Sequence, residues 1–131
     1  VEYFETALER LGEDIHRVWF DTAAVLNPAV HKLAFASLDY RRILFGTDFP
    51  ILLWHGTREW SDGAYHNLCR ENFGWNKHVH PEDEPNYTFF VYEQIDNMLN
   101  VIGDDEAKKQ AVFFDNAKSV YFDYPRGGAG V

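Results

Sequence analysis

Two carboxylates stand where short apolar segments of this chain come to an end. Asp48 follows the apolar run Ile43-Leu44-Phe45 within the segment Gly46-Thr47-Asp48-Phe49-Pro50, and Asp21 follows Val18-Trp19-Phe20. A carboxylate can ligate a cation, accept a proton or bind a polar substrate, depending on its surroundings. Both acids are therefore candidates for chemistry if the fold brings the ends of the two segments together.

The segments around these acids predict a strand, a helix and a second strand. The run 18–20 is β-branched and aromatic, and the run 43–45 is apolar without alternation, as in a parallel strand that is covered on both faces. Between them, Asn27 and Pro28 are typical of an N-cap and a first helical position, and the helix is expected to end near Leu38. This order predicts a βαβ unit, so both acids should follow the carboxyl ends of neighbouring parallel strands.

The rest of the chain divides into helical and irregular segments. Apolar residues at helical spacing predict helices over 3–11 and 89–102, which Gly12 and Gly103 terminate, and a further helix from 106 to a break near 115–116. The segment 51–86 has no sustained period and predicts a long loop, and loops of that length often carry binding residues. The glycine-rich end, 124–131, predicts a flexible tail.

Charge and cysteine content limit the partners and the compartment. Asp and Glu outnumber Lys and Arg by 21 to 12, which gives a net charge of -9. Because nucleic-acid binding depends on neutralising phosphates with basic residues, this balance predicts neither nucleic acid nor an anionic membrane surface as a partner. No apolar run reaches the roughly 18 residues of a membrane-spanning helix, and no secretory leader is recognisable. The lone cysteine, Cys69, cannot form an internal disulfide, which favours a reducing, cytoplasmic location.

Three motifs, in this order and spacing, resemble the C-terminal part of the amidohydrolase-related, metal-dependent hydrolases. They are VWFDTA at 18–23, RILFGTDFP at 42–50 and FFDNAKSVYF at 113–122. The resemblance implies an α/β fold that is the C-terminal fragment of a (β/α)8 TIM barrel: the last two strands with their flanking helices, and a long loop after the final strand. Residues 1–131 would then form a single partial domain, since a whole barrel needs about 250 residues. The first residue, Val1, fits an internal point of a longer protein because translation normally begins with Met.

The resemblance also implies an activity. In that family the aspartate that matches Asp48 is a metal ligand and moves a proton from metal-bound water to the leaving group. A divalent metal, with zinc expected, and a small polar substrate such as a lactone, ester or amide are therefore implied for the complete protein, and some relatives decarboxylate aromatic or unsaturated acids instead. The histidine ligands of the family have no match here, so this chain alone is expected to lack a full active site, to be inactive and to hold no metal of its own.

Other candidate site residues have competing interpretations. Asp21 is a candidate substrate contact, although the favoured interpretation is that it ends its strand and bonds the next loop. Trp54 and His55 are expected to contact substrate from the long loop, as one wall of a pocket, or else to pack within that loop. The pair His78-x-His80 lies after the last strand rather than on the first, so surface histidines are favoured there over metal ligands.

A non-catalytic function remains the alternative of another class. An incomplete barrel would expose strand edges and apolar faces, which predicts a homo-oligomer or association with another chain through those edges. A binding or assembly module that keeps the βαβ frame without chemistry would have the same property. Association is therefore expected under both hypotheses.

Overall fold

The computed structural model describes residues 2–61, 63–70, 76–77 and 82–123. Within these ranges the chain is mixed α/β, with two small sheets. The helices are α1 (Glu2–Leu11), α2 (Pro28–Ser37), α3 (Phe90–Ile102) and α4 (Glu106–Gln110). The strands are β1 (Phe20–Asp21), β2 (Ile43–Leu44), β3 (His55–Ser61), β4 (Ala64–Cys69), β5 (Asn76–Lys77) and β6 (Thr88–Phe89).

The predicted βαβ unit is confirmed. Strands β1 and β2 pair in parallel, with Phe20 opposite Ile43, and α2 connects them. The side chain of Asn27 accepts a hydrogen bond from the Ala29 amide at 2.9 Å, which satisfies one of the free N–H groups in the first turn of α2. Of the predicted run 18–20 only Phe20 pairs with β2, and Val18 and Trp19 connect it to a 3-10 helix at Gly12–Arg17.

The parallel pair is not part of a closed barrel within the residues that the structure describes. In those same ranges no further strand lies beside β1 or β2. The Phe45 amide, just beyond β2, donates instead to the Val112 carbonyl oxygen at 3.1 Å. The TIM-barrel fragment and the association through strand edges therefore stay predictions.

The prediction of a loop over 51–86 is wrong for much of that segment, which contains an antiparallel hairpin. Strands β3 and β4 pair from Gly56 opposite Cys69 to Ser61 opposite Ala64, and the full strand order is β5-β4-β3-β6. Gly63, just before β4, has a φ of 74°, a conformation that glycine adopts readily in tight turns. The chain leaves the βαβ unit to form this hairpin segment and returns from it at one point.

That point is defined by backbone contacts on both sides of the hairpin segment. The Phe90 amide donates to the Trp54 carbonyl oxygen at 3.0 Å. Immediately beyond it, His55 of β3 pairs with Phe89 of β6. The two ends of the segment 55–89 are therefore tied to each other.

The predicted helix break near 115–116 is also wrong, because the chain stays helical from 106 to 123. Wide, π-helical turns occupy Ala111–Asp115 and Ser119–Asp123. The buried side chain of Asn116 donates to the carbonyl oxygens of Tyr40 and Ile43, each at 2.8 Å. These bonds, to the 3-10 turn at Tyr40 and to β2, hold the helix against the frame. The predicted tail, 124–131, lies outside the described residues.

Two apolar clusters support the frame, and α3 contributes to both. The first contains Leu26, Leu52, Cys69 and Phe90, and the second contains Leu38, Ile43, Met98 and Val112. The predicted helix over 89–102 is confirmed within one residue, with Gly103 at a φ of 69° after its last turn. No helix in the described ranges is long and apolar enough to cross a membrane.

A buried histidine in α2 predicts a loss of stability in mild acid. The His31 ring is 1% exposed, and its Nε2 lies 2.9 Å from the Val25 carbonyl oxygen. Burial lowers the pKa of His31, although the bond to Val25 opposes this. The unfolded chain therefore takes up the proton first, so the contribution to stability is complete above pH ~6.5 and is lost as the pH falls below that value.

Urea unfolding at pH 7.5 and pH 5.5 checks this prediction. The drop in the free energy of unfolding between the two pH values should be smaller in His31→Gln than in the unaltered chain. His16→Gln, which alters an exposed histidine, should leave the drop unchanged. An equal drop in His31→Gln and the unaltered chain would assign the pH dependence to other groups.

Candidate functional site

Asp48 lies beyond the carboxyl end of β2, where the sequence places it. Its backbone φ is 51°, a left-handed conformation that few residues other than glycine adopt and that Asp tolerates better than most. Its carbonyl oxygen accepts a hydrogen bond from the Ile51 amide at 2.9 Å, and the residue is exposed. The turn after the strand thus holds the carboxylate at the surface of the strand end.

Asp48 lines a cavity of about 310 Å³ between the βαβ unit and the hairpin. A volume of this order holds a small organic molecule. The lining residues come from the turn after β1, the turn after β2 and the hairpin, and they are Ala24, Asp48, Ile51, Trp54, Arg58, Tyr65 and Asn67. In α/β proteins, crevices outside the carboxyl ends of parallel strands are the usual ligand sites.

Arg58 of β3 lines this cavity, and four neighbouring residues hold its side chain in place. Its Nε donates to Asn67 Oδ1 at 2.8 Å, and its Nη1 donates to the Ala24 carbonyl oxygen at 2.6 Å. Its guanidinium carbon lies 4.6 Å from the centre of the Tyr65 ring and 5.5 Å from that of Phe90. Both rings present the favourable geometry of a cation-π contact. Arg58 therefore joins the hairpin to the turn after β1.

Burial has the largest influence on the pKa of the Arg58 guanidinium. It lowers the pKa of the guanidinium, and the charges of Tyr65, Glu93 and Asp48 oppose this effect. Among the described residues no carboxylate forms an ion pair with Arg58. Glu93 is turned to Thr57, whose Oγ1 donates to it at 3.1 Å, and burial raises the pKa of Glu93 against the effects of that bond and of Arg58. The cavity thus holds a cation whose hydrogen-bond acceptors are neutral.

Asp21 faces its own loop and does not line the cavity. Its Oδ1 accepts a hydrogen bond from the Ala23 amide at 2.6 Å. The same oxygen would lie 2.1 Å from a Cβ atom added to Gly46, so the absence of a side chain at Gly46 makes room for this carboxylate. This is the arrangement that the favoured interpretation of Asp21 describes, in which the acid ends the strand and bonds the next loop.

Gln94 is a positioning residue that the sequence analysis missed. It is fully buried in α3, and its Nε2 donates to the Thr22 carbonyl oxygen at 2.7 Å and to the Gly46 carbonyl oxygen at 3.0 Å. It also lies 3.1 Å from Thr22 Oγ1, which in turn accepts from the Gly46 amide at 3.2 Å. The signal was its place on the buried stripe of α3, four residues after Phe90 and four before Met98. Gln94 ties the ends of β1 and β2 together.

Of the two residues predicted to form a pocket wall, Trp54 lines the cavity and His55 does not. The Nδ1 atom of His55 lies 3.2 Å from Glu84 Oε1, and the same oxygen is paired with Arg70. The His55 ring also meets the Phe89 ring edge to face, with centres 5.3 Å apart. His55 therefore belongs to the support of the hairpin. The pair His78-x-His80 lies outside the described residues.

The described residues do not form a metal centre by themselves. Among the described residues that line the cavity, Asp48 is the only carboxylate, and the cation Arg58 shares the cavity with it. Within the described ranges no group of three or more His, Cys, Asp or Glu side chains could hold a metal ion. A structural or catalytic zinc takes three or four such ligands. The zinc that the family resemblance implies stays a prediction.

No protein-family model, curated protein or solved structure matches the chain. Membership of the amidohydrolase-related family therefore stays a prediction that rests on the three motifs. The structure shows a mixed α/β protein with a parallel βαβ unit and a cavity at its carboxyl end.

Proposed function

We propose that this chain carries part of the active site of a hydrolase and that a small polar substrate, a lactone, ester or amide, binds in the cavity beside Asp48. One observation carries the proposal: Asp48 follows the carboxyl end of a parallel strand and lines a cavity that is large enough for such a molecule. The motif resemblance supports the same position for the acid.

Asp48 has the chemistry that hydrolysis needs. An ionised carboxylate can take a proton from a water molecule as that water adds to the substrate carbonyl, and the resulting acid can return the proton to the leaving oxygen or nitrogen. Trp54 and Tyr65 supply flat, rigid walls that orient a substrate over this carboxylate. Gln94 keeps the turn that bears Asp48 in register with the end of β1.

Decarboxylation of a small acid is the second candidate, and Arg58 favours it. A cation in the cavity binds the carboxylate of a small acid, whereas a neutral ester offers no anionic group to it. This charge assists binding rather than the loss of carbon dioxide, which leaves as a neutral molecule while the carbon left behind takes up a proton. The two reactions differ in their products, because decarboxylation releases carbon dioxide and leaves ester and amide bonds intact.

Replacement of Asp48 by asparagine tests the role of the carboxylate. In the intact protein that contains this sequence, Asp48→Asn is expected to lower the turnover of a lactone, ester or anilide panel by about 10²-fold or more, the usual effect of removing a general acid or base. The measurement is the initial rate with each substrate, alongside carbon dioxide release from small acids. Asp21→Asn is the matched control, since Asp21 lies outside the cavity, and it should retain most of the rate.

Two results would count against the proposal. Equal rates for Asp48→Asn and the unaltered protein would remove Asp48 from the chemistry. If the intact protein acts on none of these substrates but still binds small molecules in the cavity, the non-catalytic binding module becomes the better description.

A further inference from the structure

The hydrogen bonds that Arg58 makes to described residues do not depend on the positive charge of its guanidinium. Its two hydrogen-bond acceptors among the described residues, Asn67 Oδ1 and the Ala24 carbonyl oxygen, are neutral oxygens that an uncharged donor would satisfy equally well. Arg58 is partly buried, and removing a charge from water is unfavourable unless a counter-charge compensates for it, so a cation in such a place favours an anionic partner. In the described part of the chain Arg58 has none within ion-pair distance.

Part of the guanidinium is available to a ligand in the cavity. Arginine has five N–H donors, and the bonds to Asn67 and Ala24 engage one on Nε and one on Nη1. No described residue accepts a hydrogen bond from Nη2. Since Arg58 lines the cavity, a bound oxyanion can complete its hydrogen bonds and neutralise its charge at the same time.

The other lining residues limit the charge and shape of that ligand. Asp48 shares the cavity, and its negative charge opposes a second negative charge on the ligand. Trp54 and Tyr65 offer flat apolar surface, and a volume of about 310 Å³ leaves space for about one ring. A singly charged group on a flat, compact body fits these conditions better than a doubly charged one.

We propose that Arg58 is a specificity-determining residue that makes the cavity select a small, flat ligand with one carboxylate. This inference rests on the proposed function in that it takes the cavity beside Asp48 as the substrate site. It adds the anionic group of the substrate and the residue on the hairpin that recognises it.

Binding of three matched probes tests this selection without any need for turnover. Benzoate, the neutral benzamide and phenyl phosphate are titrated into the protein at pH 8, and binding is followed by calorimetry and by amide chemical shifts of residues that line the cavity. Benzoate should bind at least about tenfold more tightly than benzamide, because only the anion gains the charge-assisted bond. Phenyl phosphate, which is doubly charged at this pH, should bind more weakly than benzoate.

Variants of Arg58 identify the group responsible. Arg58→Gln should remove the preference for benzoate over benzamide, and Arg58→Lys should retain part of it because the positive charge stays. Arg70→Gln, which alters an exposed arginine next to β4, is the matched control and should bind like the unaltered protein. Because Arg58→Gln also loses contacts within the fold, its amide spectrum is compared with that of the unaltered protein.

Several outcomes would overturn the inference. They are equal binding of benzoate and benzamide by the unaltered protein, tighter binding of phenyl phosphate than of benzoate, and an undiminished benzoate preference in a folded Arg58→Gln. The first two comparisons need no variant, so they decide the matter even if Arg58→Gln fails to fold. Asp48-dependent turnover of neutral esters without benzoate binding would reject this inference and leave the proposed function in place.

Discussion

Replacement of Gly56 by alanine is expected to lower the free energy of unfolding by about 3 kcal/mol, the upper part of the usual range for overpacking a filled site. A Cβ atom at this position would lie 2.1 Å from the Leu68 carbonyl oxygen and 2.8 Å from the Cys69 Cα atom. Both are backbone atoms of the paired strand β4, so a rotamer change cannot relieve the contact. The strands must separate, and the buried pair of Gly56 with Cys69 is disrupted.

Chemical unfolding of Gly56→Ala and Gly63→Ala measures this effect. Gly63 is the matched control because it lies in the same hairpin, and nothing lies within 4 Å of an added Cβ atom there. Its φ of 74° still makes alanine unfavourable by about 1 kcal/mol. If Gly56→Ala lowers the free energy of unfolding no more than Gly63→Ala does, strands β3 and β4 accommodate the added Cβ atom without the predicted destabilisation.

Replacement of Gln94 by leucine should also destabilise the protein, by about 2 kcal/mol, because a buried group that loses its partner costs about 1 to 3 kcal/mol. The Gly46 carbonyl oxygen loses its side-chain donor, whereas the Thr22 carbonyl oxygen keeps its bond from the Val25 amide. Leucine fills much of the same space but cannot donate. The carbonyl oxygens of Thr22 and Gly46 would then lose the side-chain donor that joins them. Because these residues stand at the ends of β1 and β2, the turn that leads to Asp48 should shift as well.

The same substitution at an exposed glutamine provides the comparison. Gln110→Leu alters a residue at the end of α4 whose amide makes an exposed bond to Asp115, and its effect should be within about 0.5 kcal/mol. Unfolding in urea gives both values, and amide chemical shifts at 46–48 report the displacement of the turn. Gln94 would not be a positioning residue if Gln94→Leu matched Gln110→Leu in stability and left those shifts unchanged.

The frame of the protein could be predicted from the sequence because its signals are local. Asn27 and Pro28 begin α2, Gly103 follows α3, and the apolar run 43–45 contains β2. Each of these features depends on a backbone preference or a period that a few neighbouring residues express. The parallel pairing then follows from the order of strand, helix and strand.

The hairpin could not be predicted in this way because its inward pairs are not apolar. Opposite Gly56 lies Cys69, and opposite Arg58 lies Asn67, which is 2% exposed. A hydrophobic pattern counts glycine, arginine and asparagine as positions outside a core. Strand β4 alternates in burial over its last residues, from His66 to Cys69, but this alternation does not match the hydropathy of the residues.

The residues of the candidate site differ in the same way, because some of them could be predicted from the sequence and others could not. Asp48 and Trp54 could be proposed as cavity residues from the sequence because both lie in the segment that connects β2 to β3. Arg58 and Gln94 were not predicted because their partners are distant in sequence: Arg58 bonds Ala24, and Gln94 bonds Thr22. Such bonds join residues that lie far apart in the sequence, so no short motif reveals them.

The tied ends of the segment 55–89 have a consequence for how this protein could diversify. Because the Phe90 amide bonds the Trp54 carbonyl oxygen and His55 pairs with Phe89, whatever lies between these residues begins and ends at a fixed place on the frame. Because Cys69 is part of the apolar cluster that supports the frame, insertions, deletions and substitutions between Gly56 and Cys69 could change the hairpin without a change in the parallel strands. Asp48 would stay in place while Arg58 and Tyr65 were replaced, so the same βαβ unit could bind a different ligand after a change in the hairpin alone.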